Sequence, residues 1–196
     1  LARRGVAQVV ISGTMKPAGF DVLAPETDSG LADCMEFLTT SHRRVACIRR
    51  ADPAGRPKSR FAAYAAGLEK AGIPLDASLV RTSHHRPATA YQSALELLQL
   101  PDRPTAILCT DDMEALQTIR AAYRLGLRVP EDIQIVGVGN STEGQDYDPA
   151  LTTVGPDPIF EQVVRMLLDR LTGTTPAEGI RVASPWKLHR RGTTEG

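Results

Sequence analysis

The sequence predicts an α/β protein whose mainly parallel strands are covered by helices. Three observations carry that prediction. Apolar periodicity switches repeatedly between short β-like runs and a 3.6-residue helical pattern, Gly and Pro stand where the helical patterns stop, and nearly every segment that follows a strand is polar. Strand, helix and strand in succession require right-handed crossovers, which place helices on both faces of a parallel sheet.

The elements follow in order. Val6 to Ile11 reads as a strand, and Asp28 then caps a helix whose Leu31, Cys34, Met35 and Leu38 fall at i, i+3, i+4 and i+7. Val45 to Ile48 is the next strand. The helix after it carries Phe61, Tyr64, Ala65 and Leu68 at the same spacing and stops at Gly72, with Pro74 preventing continuation. Leu79 to Thr82 is a short strand, and Pro87 stands where a first helical turn tolerates it, ahead of the stripe Tyr91, Ala94, Leu95 and Leu98. Thr105 to Cys109 is a continuous apolar strand. Leu116, Ile119 and Tyr123 stripe the helix that ends near Gly126, and Ile133 to Val138 is another strand. The stretch from Asp148-Pro149 to Pro158 reads as irregular. Beyond it Phe160, Val163, Val164, Leu167, Leu168 and Leu171 make the strongest amphipathic helix in the chain, and a final strand runs around Ile180 to His189.

The 196 residues are 42% hydrophobic and 23% charged, with 23 Lys and Arg against 23 Asp and Glu, so the chain is neutral and of ordinary globular composition. A neutral chain lacks the positive potential that drives binding to phosphate backbones, so these residues are not expected to grip nucleic acid by themselves. No run approaches the roughly 18 apolar residues of a membrane span, and the start shows no signal-peptide pattern; no membrane partner is expected. Cys34, Cys47 and Cys109 form no CxxC and sit in apolar runs, as small buried hydrophobes do. They point to a reducing compartment, the cytoplasm.

Ligands of parallel sheets bind outside the carboxyl ends of the strands, where unpaired backbone donors of loops and helix N-termini converge. The residues there are Ser12-Gly13, the run from Arg49 to Arg60, Ser83-His84-His85-Arg86, Thr110-Asp111-Asp112 and Gly139-Asn140-Ser141-Thr142. Such groups suit a small polar molecule, though any α/β fold places polar loops there. The run from Arg49 to Arg60 holds five basic residues against Asp52 alone; most are read as solvated, while Arg60 heads a helix and can point inward. His84 and His85 have no Asp, Glu or Cys at a ligand spacing, so no metal is expected, and His85 is better used to stack on a ligand. GxxxxGK[ST], HExxH and GxSxG are missing, and Gly137-Val138-Gly139 lacks the third glycine of a dinucleotide fingerprint. Asp111-Asp112 can be imagined as an acid–base pair, but Asp112 is equally placed as a plain helix cap. The expectation is therefore a non-enzyme with no cofactor.

Several ordered motifs carry a resemblance. They are Ser41-His42-Arg43-Arg44-Val45-Ala46, Pro104-Thr105-Ala106-Ile107-Leu108-Cys109-Thr110-Asp111-Asp112, Leu125-Gly126-Leu127-Arg128-Val129-Pro130-Glu131-Asp132-Ile133 with Val136-Gly137-Val138, Pro149-Ala150-Leu151-Thr152-Thr153-Val154, and the closing Arg190-Arg191-Gly192-Thr193-Thr194. Together they cover almost the whole chain, which resembles the effector domain of the lactose and galactose repressor family of bacterial transcription regulators. The resemblance implies a periplasmic-binding-protein-like fold of type I, with two α/β lobes and a cleft between them. Residues 1–41 and 152–174 would form the amino-terminal lobe, and residues 42–151 and 175–196 the carboxyl-terminal lobe. The chain starts where the family would already have passed its DNA-binding headpiece and the first strands of the amino-terminal lobe, so a partial sheet with an exposed edge is expected there.

Residue by residue, Asp28 matches the family's acidic ligand contact at a helix start, and Arg60 matches the arginine that opens its Arg-x-x-Gly helix, although Ala63 replaces the Gly. His85 falls where several members place an aromatic ring. Asp111 replaces the usual ligand-binding Asn, Asp112 keeps the Asp that follows it, and Gly139 and Asn140 stand where many sugar-binding members have acids. These exchanges remove a donor and an acceptor and turn the pattern away from a common neutral sugar. The implied effector is a small polar metabolite, a sugar or a related and anionic molecule. It would be held in the interlobe cleft by Asp28, Arg60, His85, Asp111 and Asn140, changing the lobes' orientation and so controlling operator DNA binding through the missing headpiece. A homodimer is implied through the helix from Met113 to Tyr123. The alternative with the same fold is a periplasmic solute-binding protein of a transporter.

Overall fold

The computed structural model describes residues 6–51, 59–84 and 86–195. In chain order its elements are β1 (Val9–Ile11), β2 (Asp21–Glu26), α1 (Asp28–Ser41), β3 (Val45–Arg50), α2 (Arg60–Lys70), β4 (Val80–Ser83), α3 (Pro87–Leu98), β5 (Ala106–Cys109), α4 (Asp112–Arg124), β6 (Gln134–Val138), α5 (Thr142–Gln145), β7 (Thr152–Gly155), α6 (Phe160–Leu171), β8 (Arg181–Pro185) and β9 (Lys187–His189). The described residues form two compact units, those within 6–29 and 156–186 and those within 30–155 and 187–195. These limits differ from the expected lobes: most of α1, all of β7 and β9 belong to the larger unit, and β8 to the smaller.

In the larger unit six strands run in the order β4-β3-β5-β6-β7-β9, all neighbours parallel except the β7–β9 pair. Every residue of β5 is buried, which explains its unbroken apolar run. Ala46, Ile48, Ile107, Cys109 and Ile135 alternate along β3, β5 and β6 and pack with Ala94 and Leu97 of α3 and Ala115 and Ile119 of α4. The intervening Val45, Cys47, Leu108 and Val136 face the other way and are equally buried. Tyr64 of α2 is fully buried and its hydroxyl donates to the Val45 carbonyl at 2.8 Å, so a large ring enters the core without an unpaired polar atom. Gly67 lies directly on Met35 of α1 and leaves no room for a Cβ.

The smaller unit holds the parallel sheet β1-β2-β8 and α6. Asp21, at the start of β2, is fully buried and receives both Nε and Nη2 of Arg170 from α6, at 2.9 and 2.7 Å, together with the backbone N–H of Ile180 at 2.9 Å. A two-pronged guanidinium and a backbone donor satisfy a carboxylate that burial would otherwise make costly.

Several elements depart from the expectation. β1 starts at Val9 rather than Val6, and β2 was not anticipated, because Pro17, Gly19 and Pro25 mask its short apolar core. The segment from 148 to 158, expected to be irregular, contains β7, whose threonines are buried by side-chain hydrogen bonds rather than apolar character. The closing strand is two strands, β8 and the antiparallel β9, in different units. On α6 Met166 is buried, whereas Phe160, Val164, Leu168 and Leu171 are exposed, since three short strands offer too little apolar area to cover the whole stripe. On α4 the buried residues are Asp112, Glu114, Ala115, Thr118, Ile119, Ala121 and Ala122, while Tyr123 is exposed. That helix packs on both α3 and the sheet, so small residues define its buried faces.

Arg170→Ala leaves Asp21 as an uncompensated buried charge, and we expect it to lower the stability of the smaller unit by about 3 kcal/mol at neutral pH. Trp186, the one tryptophan of the chain, lies in that unit, so its fluorescence in urea reports the change. Arg170 holds the Asp21 carboxyl below its ordinary range. The contribution is therefore complete above about pH 4 and is lost as the pH falls through the lowered value. A variant as stable as the parent contradicts the role given to the pair.

Candidate functional site at the carboxyl edge of the larger sheet

The strand order of the larger unit reverses between β3, which is followed by β4 on one side, and β5, which leads to β6 and β7 on the other. At such a switch point the two adjoining loops diverge and leave room for a ligand beyond the strand ends. The residues that leave β3 and β5 here are Arg50 and Thr110-Asp111-Asp112.

Each of these three residues after β5 binds a different neighbour. The Thr110 hydroxyl accepts from the Arg50 backbone N–H at 2.8 Å, and the Thr110 carbonyl accepts from the Arg60 guanidinium. Asp111 caps α4 by accepting from the Met113 N–H at 3.0 Å, and its other oxygen lies 3.8 Å from the Arg50 guanidinium. Asp112, nearly fully buried, accepts from Thr153 Oγ1 at 2.6 Å and from the Ser141 N–H at 2.7 Å, so it ties α4 to the ends of β6 and β7. The cap is thus Asp111, not Asp112; one residue's shift along the turn moves the second carboxylate from the helix end to the sheet.

On the β6 side Asn140 has a φ of 56°, a left-handed conformation that Asn tolerates better than most residues. Its backbone N–H donates to Thr153 Oγ1 at 3.2 Å, and its side-chain oxygen accepts from Arg191 Nη2 at 2.7 Å. Arg191 also donates to the Leu151 carbonyl at 2.8 Å. Gly137 runs so close to Asp112 that a Cβ would strike the carboxylate.

Arg60, the first residue of α2, is half-buried, and burial lowers its pKa against the pull of Asp111, Asp112 and Glu114. Ser59 caps that helix by accepting from the Ala62 N–H, which fixes where the arginine leaves the backbone. Glu114 is fully buried; Ser83 Oγ donates to one of its oxygens and Thr110 Oγ1 to the other at 3.3 Å. Burial pushes this carboxyl up to about 7, with Asp111 acting in the same direction and Ser83, Thr110 and Arg50 opposing.

Of the anticipated residues, Arg60, Asp111 and Asn140 stand at this one edge: Arg60 is hydrogen-bonded to Thr110, Asn140 to Thr153 and Thr153 to Asp112, and Asp111 lies between Thr110 and Asp112 in the chain. Asp28 belongs to the smaller unit, as the exposed first residue of α1 rather than the residue before it. His85, and Asp52, Arg56 and Lys58 of the basic run, lie outside the described residues. Glu114, Ser83, Thr153 and Arg191 were not anticipated as a group. Glu114 was traceable in principle, since it shares a helical face with Thr118 and lies beside Ala115. The three cysteines are free and buried, as expected of small hydrophobes, and burial pushes their thiols up. Among the described residues no three His, Cys, Asp or Glu side chains group as a metal site needs, and no helix is long and apolar enough to cross a membrane.

Residues 35–194 match the profile described as the periplasmic binding protein-like domain. The chain belongs to that family. Within it the sequence is similar to regulators of the lactose repressor type. The HTH-type transcriptional repressor PurR of Erwinia tasmaniensis is 32% identical over 162 residues, which are 82% of this chain and 48% of that protein. The chain thus spans about half the length of that curated relative. A LacI family transcriptional regulator from Enterococcus faecium, solved with bound ribose, superposes with a TM-score of 0.80 at 23% identity, over 98% of this chain and 72% of that one. The transcriptional regulator CelR in its cellobiose complex gives a TM-score of 0.73 at 26% identity, over 94% of this chain and 58% of that one.

Two outcomes follow for this edge of the periplasmic binding protein-like domain. Gly137→Ala forces Asp112 off Ser141 and Thr153 and is expected to cost about 1–3 kcal/mol, read by urea unfolding of the larger unit. Glu114 takes up its proton more readily folded than unfolded, so stability should fall as the pH rises from the usual carboxylate range through about 7. In Glu114→Gln this decline disappears, and the variant gains on the order of 2 kcal/mol over the parent at pH 8. Parallel stability profiles of the two proteins between pH 5 and 8 would exclude this account.

Proposed function

We propose that this chain is the effector-sensing part of a cytoplasmic DNA-binding transcriptional regulator. It takes a small polar metabolite at the carboxyl edge of the larger unit's sheet and transmits binding allosterically to an operator-binding segment outside these residues. The observation that carries this reading is the hydrogen-bonded set at the switch point, where Arg60, Thr110, Asp111, Asp112 and Asn140 form one connected rim. The similarity to PurR supports the regulator, and the ribose and cellobiose in the related structures support a polyhydroxylated ligand.

Arg60 is the group suited to a ligand carboxylate, phosphate or vicinal hydroxyl pair. Asp111 supplies an acceptor for ligand hydroxyls where an Asn would also donate. Asn140, its side-chain oxygen engaged by Arg191, enters the rim as an oriented polar group. Arg60 and the neighbouring Arg50 are the rim groups that a sugar acid or phosphosugar would engage. Asp28 and His85 are further contacts proposed on the family resemblance alone. The repressor relative supports a sensor rather than an enzyme. The active species is proposed to be a homodimer formed through α4.

A melting-shift and calorimetric screen of sugars, sugar acids, phosphosugars and nucleobases tests this. One class is expected to raise the melting temperature in a concentration-dependent way. Arg60→Ala should weaken that ligand by at least tenfold, about 1.4 kcal/mol, when measured under conditions where the variant is folded. If no class binds, or if the bound class is indifferent to Arg60 and Asp111, the effector reading is wrong. Sedimentation at micromolar concentration tests the dimer.

A further inference from the structure

Glu114 makes none of the ligand contacts proposed above, yet it underlies both arginines of the rim. It lies in the first turn of α4, fully buried, at the end of β4 and β5. Ser83 from β4 and Thr110 from the end of β5 each donate a hydroxyl to its carboxyl group. Thr110 in turn accepts the Arg50 backbone N–H at its hydroxyl and the Arg60 guanidinium at its carbonyl. One interior carboxyl therefore reaches the surface through one threonine. Such a residue is not dictated by packing, since its neighbours along the buried face, Ala115, Thr118 and Ile119, are small or apolar.

We propose that Glu114 is a positioning residue of the effector rim: through Thr110 it sets where Arg50 and Arg60 stand, and through its own charge it sets the preference of this corner for anionic over neutral ligands. The proposal rests on the reading of the rim as an effector site. The groups around Glu114 are Arg50 and Cys47 from β3, Ser83 from β4, Cys109 and Thr110 from β5, Arg60 from α2, and Asp111 at the head of its own helix. Among these Arg50 and Arg60 are cationic and Asp111 is anionic. The raised carboxyl changes charge near neutrality rather than in acid. When it is ionised, both hydroxyls donate to it and its charge offsets that of the arginines. When it is protonated, it must itself donate to one hydroxyl, Thr110 or Ser83 has to turn, and one negative charge leaves the corner. An anion bound there therefore favours the protonated form, and by reciprocity binds more tightly at lower pH.

The test needs no knowledge of the natural ligand. The backbone amide of Arg50 and the side-chain Nε–H of Arg60 are followed by nitrogen-15 NMR from pH 5.5 to 8.5, with the Glu114 carboxyl followed by carbon-13. All three should titrate with one shared midpoint near neutrality. In Glu114→Gln both arginine signals should be flat. In Thr110→Val, which keeps the shape of the side chain, Glu114 should still titrate while the Arg50 amide no longer follows. Flat arginine signals in the parent, or unchanged titration in Glu114→Gln, overturn the positioning role.

Sulfate, whose charge is constant over this range, probes the charge preference. Its affinity should be about tenfold higher at pH 6 than at pH 8 in the parent and independent of pH in Glu114→Gln. Equal pH dependence in both, or no sulfate binding to the parent at pH 6, overturns the charge preference. If the arginines titrate as stated while no metabolite class binds, the effector reading fails and the positioning by Glu114 stands. If a metabolite binds at the rim while the arginine signals stay flat, the effector reading stands and Glu114 is only a buried polar residue.

Discussion

The turn Thr110-Asp111-Asp112 is the constraint on which the larger unit's functional edge depends. It leaves β5, a strand with no exposed residue, and must at once satisfy its own backbone, start α4 and reach the strands on either side. Each of the three residues takes one of those duties. Thr110 turns toward β3 and α2, Asp111 toward the helix it begins, and Asp112 toward β6 and β7. A buried polar turn is stable only when every group is paired, so the positions of Arg50, Arg60, Ser141 and Thr153 are linked to one another through it.

That linkage bears on the role in recognition proposed for this edge. Charged groups of both signs are held by hydrogen bonds before any ligand arrives, so a polar molecule meets oriented partners and little reorganisation is needed. The two sides of the turn differ in rigidity. Asp112 is almost enclosed, and Gly137 presses on it so closely that only a glycine fits, whereas Arg50 is exposed. The β6 and β7 side is thus the fixed wall and the β3 side the one open to solvent. Glu114 adds a buried carboxyl behind the turn, costly in a low-dielectric interior unless its hydroxyl partners stay in place.

The smaller unit solves the same problem with fewer parts. Its sheet has three strands, and one fully buried carboxylate, Asp21, joins β2 to α6 and to the residue before β8. Apolar burial contributes less there, as the exposed Phe160, Leu168 and Leu171 make plain. A directional ion pair then does what a larger core does elsewhere, fixing the register of a helix on a short sheet.

Local periodicity determined the α/β class, the parallel crossovers, and the polar character of the strand ends, because side-chain pattern follows the period of the backbone wherever one face is buried. Asp111 and Asn140 were legible as rim residues for the same reason: they follow apolar strands. β2 and β7 were not legible, since one is broken by proline and the other is buried through threonine hydroxyls whose partners, Asp112, Arg191 and Thr194, are far away in the chain. Nor could sequence spacing say that Asp111 and not Asp112 caps α4, or that Arg191 holds Asn140. Those outcomes rest on hydrogen bonds between residues 29 to 51 positions apart, and only the folded sheet brings such donors and acceptors within 3 Å of one another. The sequence by itself set which residues could be polar at the edge; the tertiary structure alone decided which of them are joined, because pairing depends on distance in space and not on order along the chain.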